Sequence, residues 1–293
     1  MRAVKEKANA KINLYLDVIA KRDDGFHDIK TVMHTVSLSD ELTVIYRPSQ
    51  VTRIRLFIRG NKFLAADEKN LAYRASKLYL ELAKKTADIE IRLYKRIPIA
   101  AGLAGGSSDA AATLRAMNKL FGKLFTERAL LNMASTLGSD VPYCLYGKTA
   151  LCEGRGEILT KLPDSLKLNL VVAVAKERVS TPAAYHKLDE FYSDFDGSIA
   201  SDGDGFYQNL MSSLGSGNLS EDVLFNIFEK PIFNVCPGAE RLKDRMYELG
   251  AKHALMSGSG PSVYGIFSKE AEAKLAMEVL RKEKITAYTA NSV

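Results

Sequence analysis

The apolar positions of this chain change period several times, and each change marks an element. The first sixty residues carry strand patterns. Ile12-Asn-Leu-Tyr-Leu-Asp-Val and Glu41-Leu-Thr-Val-Ile-Tyr are rich in β-forming side chains, and Arg53-Ile-Arg-Leu-Phe-Ile alternates with period two. Between the first two lies Arg22-Asp-Asp-Gly-Phe-His, a turn chemistry that leaves Phe26 and His27 near a loop. Over 70–85 the spacing becomes helical, with Leu71, Ala75, Leu78 and Leu82 on one face. Ile89, Ile91 and Leu93 then alternate with polar residues, predicting a strand over 88–94. A further helix is expected over 126–137, with Thr126 as its N-cap and Gly138 as its stop. Residues 167–174 read as a buried strand, 240–249 and 271–282 as helices, and 262–267 as a strand. The segment 194–217 is rich in Asp, Gly and Ser with little periodicity, and reads as a long surface loop. No internal repeat is visible. A boundary near 155–165 divides the chain into an N-terminal domain of residues 1–158 and a C-terminal domain of residues 159–293.

Composition narrows the class. With 46% hydrophobic and 26% charged residues the chain has the balance of a globular protein with a core. No apolar run approaches the roughly 18 residues of a membrane span, so no membrane partner is expected. The N-terminal residues lack the apolar stretch of a signal peptide, which makes the cytoplasm the expected location. Three cysteines (Cys144, Cys152, Cys236) form no CxxC pair, and the four histidines show no metal-ligand spacing, which argues against structural zinc. The net charge of +6 is spread along the chain. That favours an anionic small molecule over nucleic acid, where a clustered basic stripe is expected.

The most informative stretch is Pro98-Ile-Ala-Ala-Gly-Leu-Ala-Gly-Gly-Ser-Ser-Asp-Ala-Ala-Ala, between a predicted strand and an alanine-rich helix expected to start near Ser108. Glycine lets backbone approach a ligand at positive φ, successive N–H groups can face one concavity, and a helix N-terminus adds partial positive charge. Ser107 and Ser108 offer hydroxyls to phosphate or magnesium. The Lys of a P-loop is missing, and the dinucleotide GxGxxG pattern is not matched. Alone, the segment reads equally as a flexible connection capped by Ser108 or Asp109. Asp140, before Val141-Pro142, reads locally as a helix N-cap, and Lys11 as a solvated strand lysine.

Taken together, the motifs resemble the GHMP kinase superfamily. They are Ala8-Asn-Ala-Lys-Ile-Asn-Leu, Asp24-Gly-Phe-His, Gly102-Leu-Ala-Gly-Gly-Ser-Ser-Asp-Ala-Ala, Gly138-Ser-Asp-Val-Pro, Glu153-Gly-Arg-Gly-Glu, Ser180-Thr-Pro and Met256-Ser-Gly-Ser-Gly-Pro-Ser, in an order that spans most of the chain. The resemblance implies an α+β, two-domain GHMP kinase fold. Its N-terminal domain would be like the second domain of ribosomal protein S5, and its C-terminal domain ferredoxin-like. It implies ATP with Mg2+, and phosphorylation of the 2-hydroxyl of a cytidine diphosphate-linked polyol in non-mevalonate isoprenoid biosynthesis, by a monomer or homodimer. By resemblance, Lys11 and Asp140 are catalytic, with Asp140 also touching substrate. Asn70 and Lys95 lie near the adenine. Pro98, Ile99, Ala100, Ala101, Gly102, Leu103, Ala104, Gly105, Gly106, Ser107 and Ser108 hold the phosphates, and Ser108 is the side-chain candidate for magnesium. Asn13, Phe26, His27, Thr181 and Tyr185 bind substrate, with Phe26, His27 and Tyr185 around the cytosine. The chain departs from the family pattern at Ala104, where glycine is usual, and at Asn226-Ile-Phe-Glu. Sister kinases of mevalonate, phosphomevalonate or homoserine are the nearest rival reading, which Asp24-Gly-Phe-His and Ser180-Thr-Pro disfavour. An RNA-binding protein with an S5-like domain is the rival of a different class.

Overall fold

The structure, a computed structural model, describes residues 1–192, 203–220 and 222–293. By internal contacts the chain forms two compact units. The first comprises Met1–Ala10, Ser39–Ile99 and Ala104–Gly147; the second comprises Lys11–Leu38, Ala100–Leu103 and Lys148–Val293. Two long strands, β1 (Arg2–Lys21) and β2 (His27–Pro48), supply residues to both. From Ala8 to Val18 nearly every side chain of β1 is buried, so both of its faces are covered.

In the first unit follow β3 (Arg53–Arg59), α1 (Leu71–Ala83), β4 (Ala87–Tyr94), α2 (Gly105–Leu120), α3 (Glu127–Leu137) and α4 (Val141–Tyr146). Strand β4 pairs antiparallel with residues 41–48 of β2 and parallel with β3. The inward positions Ile89, Ile91 and Leu93 alternate as the sequence indicates and pack with the helices in one core. Small side chains bury α2 almost all round from Ser108 to Leu120, and let it lie close to α1 and α4. Asn118 closes the α2–α3 connection: its carboxamide oxygen accepts from Tyr79 Oη and the Phe125 amide, and its Nδ2 donates to the Phe125 carbonyl. Thr126 caps α3 through the Ala129 amide, and Gly138 follows its last residue, as the sequence predicts.

The second unit continues with β5 (Thr149–Glu153), β6 (Ile158–Lys161), β7 (Asn169–Val174), α5 (Thr181–Phe191), α6 (Gly203–Ser216), β8 (Phe225–Asn226), α7 (Glu229–Phe233), α8 (Pro237–Glu248), β9 (His253–Met256), β10 (Ser262–Phe267), α9 (Glu270–Lys282) and β11 (Thr286–Asn291). The hairpin β5–β6 adds antiparallel to residues 31–34 of β2, and β8 lies parallel to β1 at Tyr15 and Leu16. Strands β7, β9, β10 and β11 form an antiparallel sheet in the order β11-β7-β10-β9, with α8 and α9 packed on it. In chain order that is 4-1-3-2, the ferredoxin-like arrangement. A second core forms here around Val171, Leu188, Met246 and Val263.

One expectation needs correction. The loop expected over 194–217 is helix α6 from Gly203 to Ser216, while its residues 194–202 lie outside the described residues. Leu210 and Leu214 are buried, and Phe206 and Tyr207 on the turn before pack against Phe225 and Tyr15, so this apolar stripe outweighs the surrounding Gly and Ser. Among the described residues no helix is long and apolar enough to cross a membrane.

Leu114 is fully buried in the first core. Leu114→Ala is expected to cost about 2–5 kcal/mol of stability, measured by urea unfolding, through lost burial and the cavity left behind.

Candidate active site

Along the glycine segment φ alternates in sign. Ala100, Gly102 and Ala104 are left-handed at 51°, 73° and 55°, while Ala101 and Leu103 are not. Such alternation turns successive amides toward one concavity. Helix α2 starts at Gly105, three residues before the expected Ser108. Its N-cap, Ala104, gives no side-chain hydrogen bond, so the first-turn amides have no side-chain cap. The left-handed conformation costs an alanine about 1–2 kcal/mol, which is why glycine is the usual residue at such a position. Gly105 has its own reason: a Cβ there would lie 3.0 Å from Ile97 Cγ2 and 3.4 Å from Lys95 Nζ.

At the start of α2 the first unit buries three ionisable groups. The Lys95 ammonium bonds Asp40 and, at 2.7 Å, Asp109. Asp40 also accepts the amides of Arg96 (2.5 Å) and Ile97 (2.8 Å). The network therefore ties the exit of β4 to the first turn of α2. Lys95, which the resemblance puts near the adenine, spends its ammonium on this triad. Burial pushes the Asp109 carboxyl up to about 8; Lys95 opposes the rise and the neighbouring Asp40 adds to it. Asn70, also expected at the adenine, is the N-cap of α1: its oxygen accepts from the Ala72 amide and its Nδ2 donates to the Ala65 carbonyl, each at 2.9 Å. Ser108, the candidate for magnesium, is buried as well. Its buried hydroxyl donates to the Asn9 carbonyl at 2.5 Å and also contacts Cys144 Sγ, so it is turned to the interior, while Ser107 is only half-buried. Asp140 precedes α4 with no side-chain cap bond, because its own backbone is already helical (φ −81°, ψ −12°). Its carboxylate is half-buried and makes no hydrogen bond or ion pair among the described residues.

The second unit gathers the candidate substrate residues. Lys11, far from being a solvated edge lysine, is 4% exposed. Its Nζ donates to Asn13 Oδ1 (2.7 Å), Asn13 Nδ2 to Thr31 Oγ1 (2.8 Å), and Thr31 to the Tyr15 carbonyl (2.6 Å). The Lys11 amide donates to the Leu103 carbonyl. The glycine turn at 257–260 closes on the same group. Ser257 Oγ donates to the Gly102 carbonyl at 3.0 Å, and a Cβ on Gly258 would stand 3.4 Å from Lys11 Nζ. Thr181 Oγ1 lies 3.2 Å from Ser259 Oγ. Asn226 and Glu229, the two ends of the segment whose departure from the family pattern is Ile227, brace this turn: Asn226 Nδ2 donates to the carbonyls of Met256 (2.7 Å) and Gly258 (2.8 Å), and Glu229 accepts the Met256 amide (2.9 Å). Sequence gave no sign of this; only the meeting of β8 with β9 reveals it.

Phe26 is 51% exposed, so it is not a core residue, and the Arg155 guanidinium lies 5.0 Å from its ring centroid. Arg155 comes from the turn between β5 and β6. His27 stacks on Tyr185 with centroids 4.7 Å apart, and its Nε2 meets Asp189 Oδ1 at 2.7 Å. Asp189 went unnoticed in the sequence, although it follows Tyr185 by one helical turn. Ser180 caps α5 through the Ala183 amide with Pro182 in the first turn, which accounts for the Ser-Thr-Pro motif.

The fold and the amide-rich loop place the chain among small-molecule kinases. Residues 70–148 match the family model of the GHMP kinases N terminal domain, and residues 201–285 that of the GHMP kinases C terminal. Over 94% of this chain and 94% of the relative, it is 40% identical to 4-diphosphocytidyl-2-C-methyl-D-erythritol kinase of Macrococcus caseolyticus. Over the full length of both, it is 36% identical to the protein of that name from Acetivibrio thermocellus. A crystal structure of 4-(cytidine 5'-diphospho)-2C-methyl-D-erythritol kinase matches with TM-score 0.81 at 34% identity, over 98% of each chain. Homoserine kinase from Cytophaga hutchinsonii shares the fold at TM-score 0.73 and 22% identity, covering 100% of this chain and 95% of that one. The chain belongs to the GHMP kinases and, within them, to the 4-diphosphocytidyl-2-C-methyl-D-erythritol kinase family.

Two outcomes follow from this geometry. A Cβ at Gly102 would lie 2.0 Å from the Ser257 carbonyl oxygen, at a φ of +73°. Gly102→Ala is expected to lower kcat/KM for ATP on the order of 100-fold in steady-state assays, because the loop must shift. Asp109 binds its proton more tightly folded than unfolded, so its titration lowers stability as pH rises from about 3.8 to about 8. Asp109→Asn removes that dependence. Its melting temperature relative to the parent protein is expected to rise steadily from pH 5 to pH 8.

Proposed function

We propose that this chain transfers the γ-phosphoryl group of ATP to the 2-hydroxyl of 4-diphosphocytidyl-2-C-methyl-D-erythritol, in non-mevalonate isoprenoid precursor biosynthesis. The observation that carries this reading is the helix α2 N-terminus without a side-chain cap, behind a backbone of alternating φ, in a chain of that family. Phosphoryl transfer to an alcohol asks for little covalent chemistry from the protein. It needs alignment of the hydroxyl, charge stabilisation on the transferring group, and an acceptor for one proton.

The chain's residues divide these tasks. Amides of the 98–108 segment bind and orient the phosphates, aided by the helix dipole. Asp140, whose carboxylate is uncommitted, accepts the hydroxyl proton. Lys11 spends one N–H on Asn13, which Thr31 in turn holds, and directs its remaining charge to the transferring phosphoryl group. Phe26, His27 and Tyr185 provide the surfaces for the cytosine, and Thr181 a hydroxyl for the polyol diphosphate. Magnesium neutralises phosphate charge when it accompanies ATP, held largely by phosphate oxygens and water. Among the described residues no group of three or more His, Cys, Asp or Glu is placed to hold a metal, and the inward-turned Ser108 does not fit as its ligand.

Incubation of the purified protein with Mg-ATP and a panel of 4-diphosphocytidyl-2-C-methyl-D-erythritol, mevalonate, phosphomevalonate and homoserine tests the reading. ADP and a new phosphomonoester are expected with the first alone; turnover of another acceptor in its place would refute it. Asp140→Asn is expected to lower kcat by about 100-fold or more with the melting temperature unchanged. Near-normal turnover would remove Asp140 from the mechanism.

A further inference from the structure

Helix α5 carries Thr181, Tyr185 and Asp189 at intervals of four residues, which puts them along one face. The first meets the 257–260 turn and the second stacks on His27. Asp189 Oδ1 takes His27 Nε2 at 2.7 Å, and its Oδ2 accepts from Lys21 Nζ at 2.6 Å. We propose that Asp189 is a positioning residue for base recognition: it holds the His27 ring flat on Tyr185 and makes Nε2 the proton-bearing nitrogen, leaving Nδ1 as an acceptor for the exocyclic amine of a cytosine. The proposal rests on the reading of His27 as a contact to the substrate's base.

The chemistry follows from the partners. An ionised carboxylate only accepts hydrogen bonds, so the imidazole nitrogen facing it must carry hydrogen. Burial alone would work against the charged form of Asp189, but hydrogen bonds from Lys21 and His27 outweigh it and hold the carboxyl below its ordinary range. His27 is 7% exposed, its ring confined by Tyr185, which packs edge-on against Phe228. Its Nδ1 makes no hydrogen bond among the described residues. In the neutral ring that nitrogen is therefore a fixed acceptor. Cytosine presents an amino donor at position 4 where uracil presents a carbonyl oxygen, and a polar site built for a donor rejects a second acceptor. Without Asp189 the ring is free to carry its proton on either nitrogen, and this preference is weakened.

Steady-state kinetics on the full chain decide it, using Mg-ATP with the cytidine substrate and with its uridine analogue, alongside 15N chemical shifts of the His27 imidazole. Asp189→Ala is expected to raise KM for the cytidine substrate about tenfold and to narrow the cytidine-over-uridine preference, with KM for ATP unchanged. Its His27 signals are expected to move from an Nε2–H pattern toward a tautomer mixture. Asp189→Asn is expected to recover most of the affinity, since its carboxamide oxygen still accepts from Nε2. If Asp189→Ala leaves the cytidine KM and the preference intact while His27→Ala raises that KM, the positioning role is wrong. If His27→Ala has no effect on KM, the assignment of His27 to the base fails instead. Equal losses for both nucleotides and for ATP, with a lowered melting temperature and no recovery in Asp189→Asn, would make Asp189 a structural ion pair and overturn the proposal.

Discussion

The packing of Gly102 against the Ser257 carbonyl sets the geometry on which the rest of the second unit's candidate site depends. No side chain fits between them, and the Ser257 hydroxyl bonds the Gly102 carbonyl from the same side. Two glycine-rich turns, 155 residues apart in sequence, are thereby locked backbone to backbone. Lys11 joins the lock twice, through its amide to Leu103 and through the ammonium that lies beside Gly258. A side chain placed by three backbone segments gains little freedom to wander, which suits the proposed role of Lys11 in meeting developing phosphate charge without reorganising. Asn226 and Glu229 then satisfy the polar backbone groups of the 256–258 strand end that the close approach leaves inside.

The first unit solves a different problem. The amides at the start of α2 are useful to a phosphate only if no side chain caps them, and a helix end left open in this way must be held by something else. The buried triad of Asp40, Lys95 and Asp109 does this, with the two amides after Lys95 fastened to Asp40. Burying two carboxylates around one ammonium is costly unless one of them takes a proton, and Asp109, with its raised titration, is the one that does. Two of the residues proposed to lie near the nucleotide also hold the surrounding backbone and helix ends together. Lys95 and Asn70 each spend their polar atoms on the protein.

Much of this was legible from residue order. Period-two and helical spacing located β3, β4, α1, α3, α9 and β10 within a few residues, because the buried face of each element imposes its own repeat. The motif order pointed to the kinase family that the relatives bear out. The Asp, Gly and Ser of 194–217 hide helix α6, whose Phe206, Leu210 and Leu214 recur every four residues, and α2 starts earlier than its sequence indicates because an alanine in the left-handed region is an unusual N-cap. The turn chemistry of Arg22-Asp-Asp-Gly-Phe-His put Phe26 near a loop, and it is half in solvent beside Arg155.

What the sequence determined by itself is therefore local: which stretches alternate, where glycine permits positive φ, and which residue types could bind phosphate or a base. The tertiary structure decided which of those polar atoms remain uncommitted. Ser108, Asn70 and Lys95 face the interior and are satisfied there, while Asp140 keeps its carboxylate free and Asp189 finds His27 from 162 residues away. The physical reason is that a hydrogen bond depends on direction and burial, and both are set by segments distant in the chain.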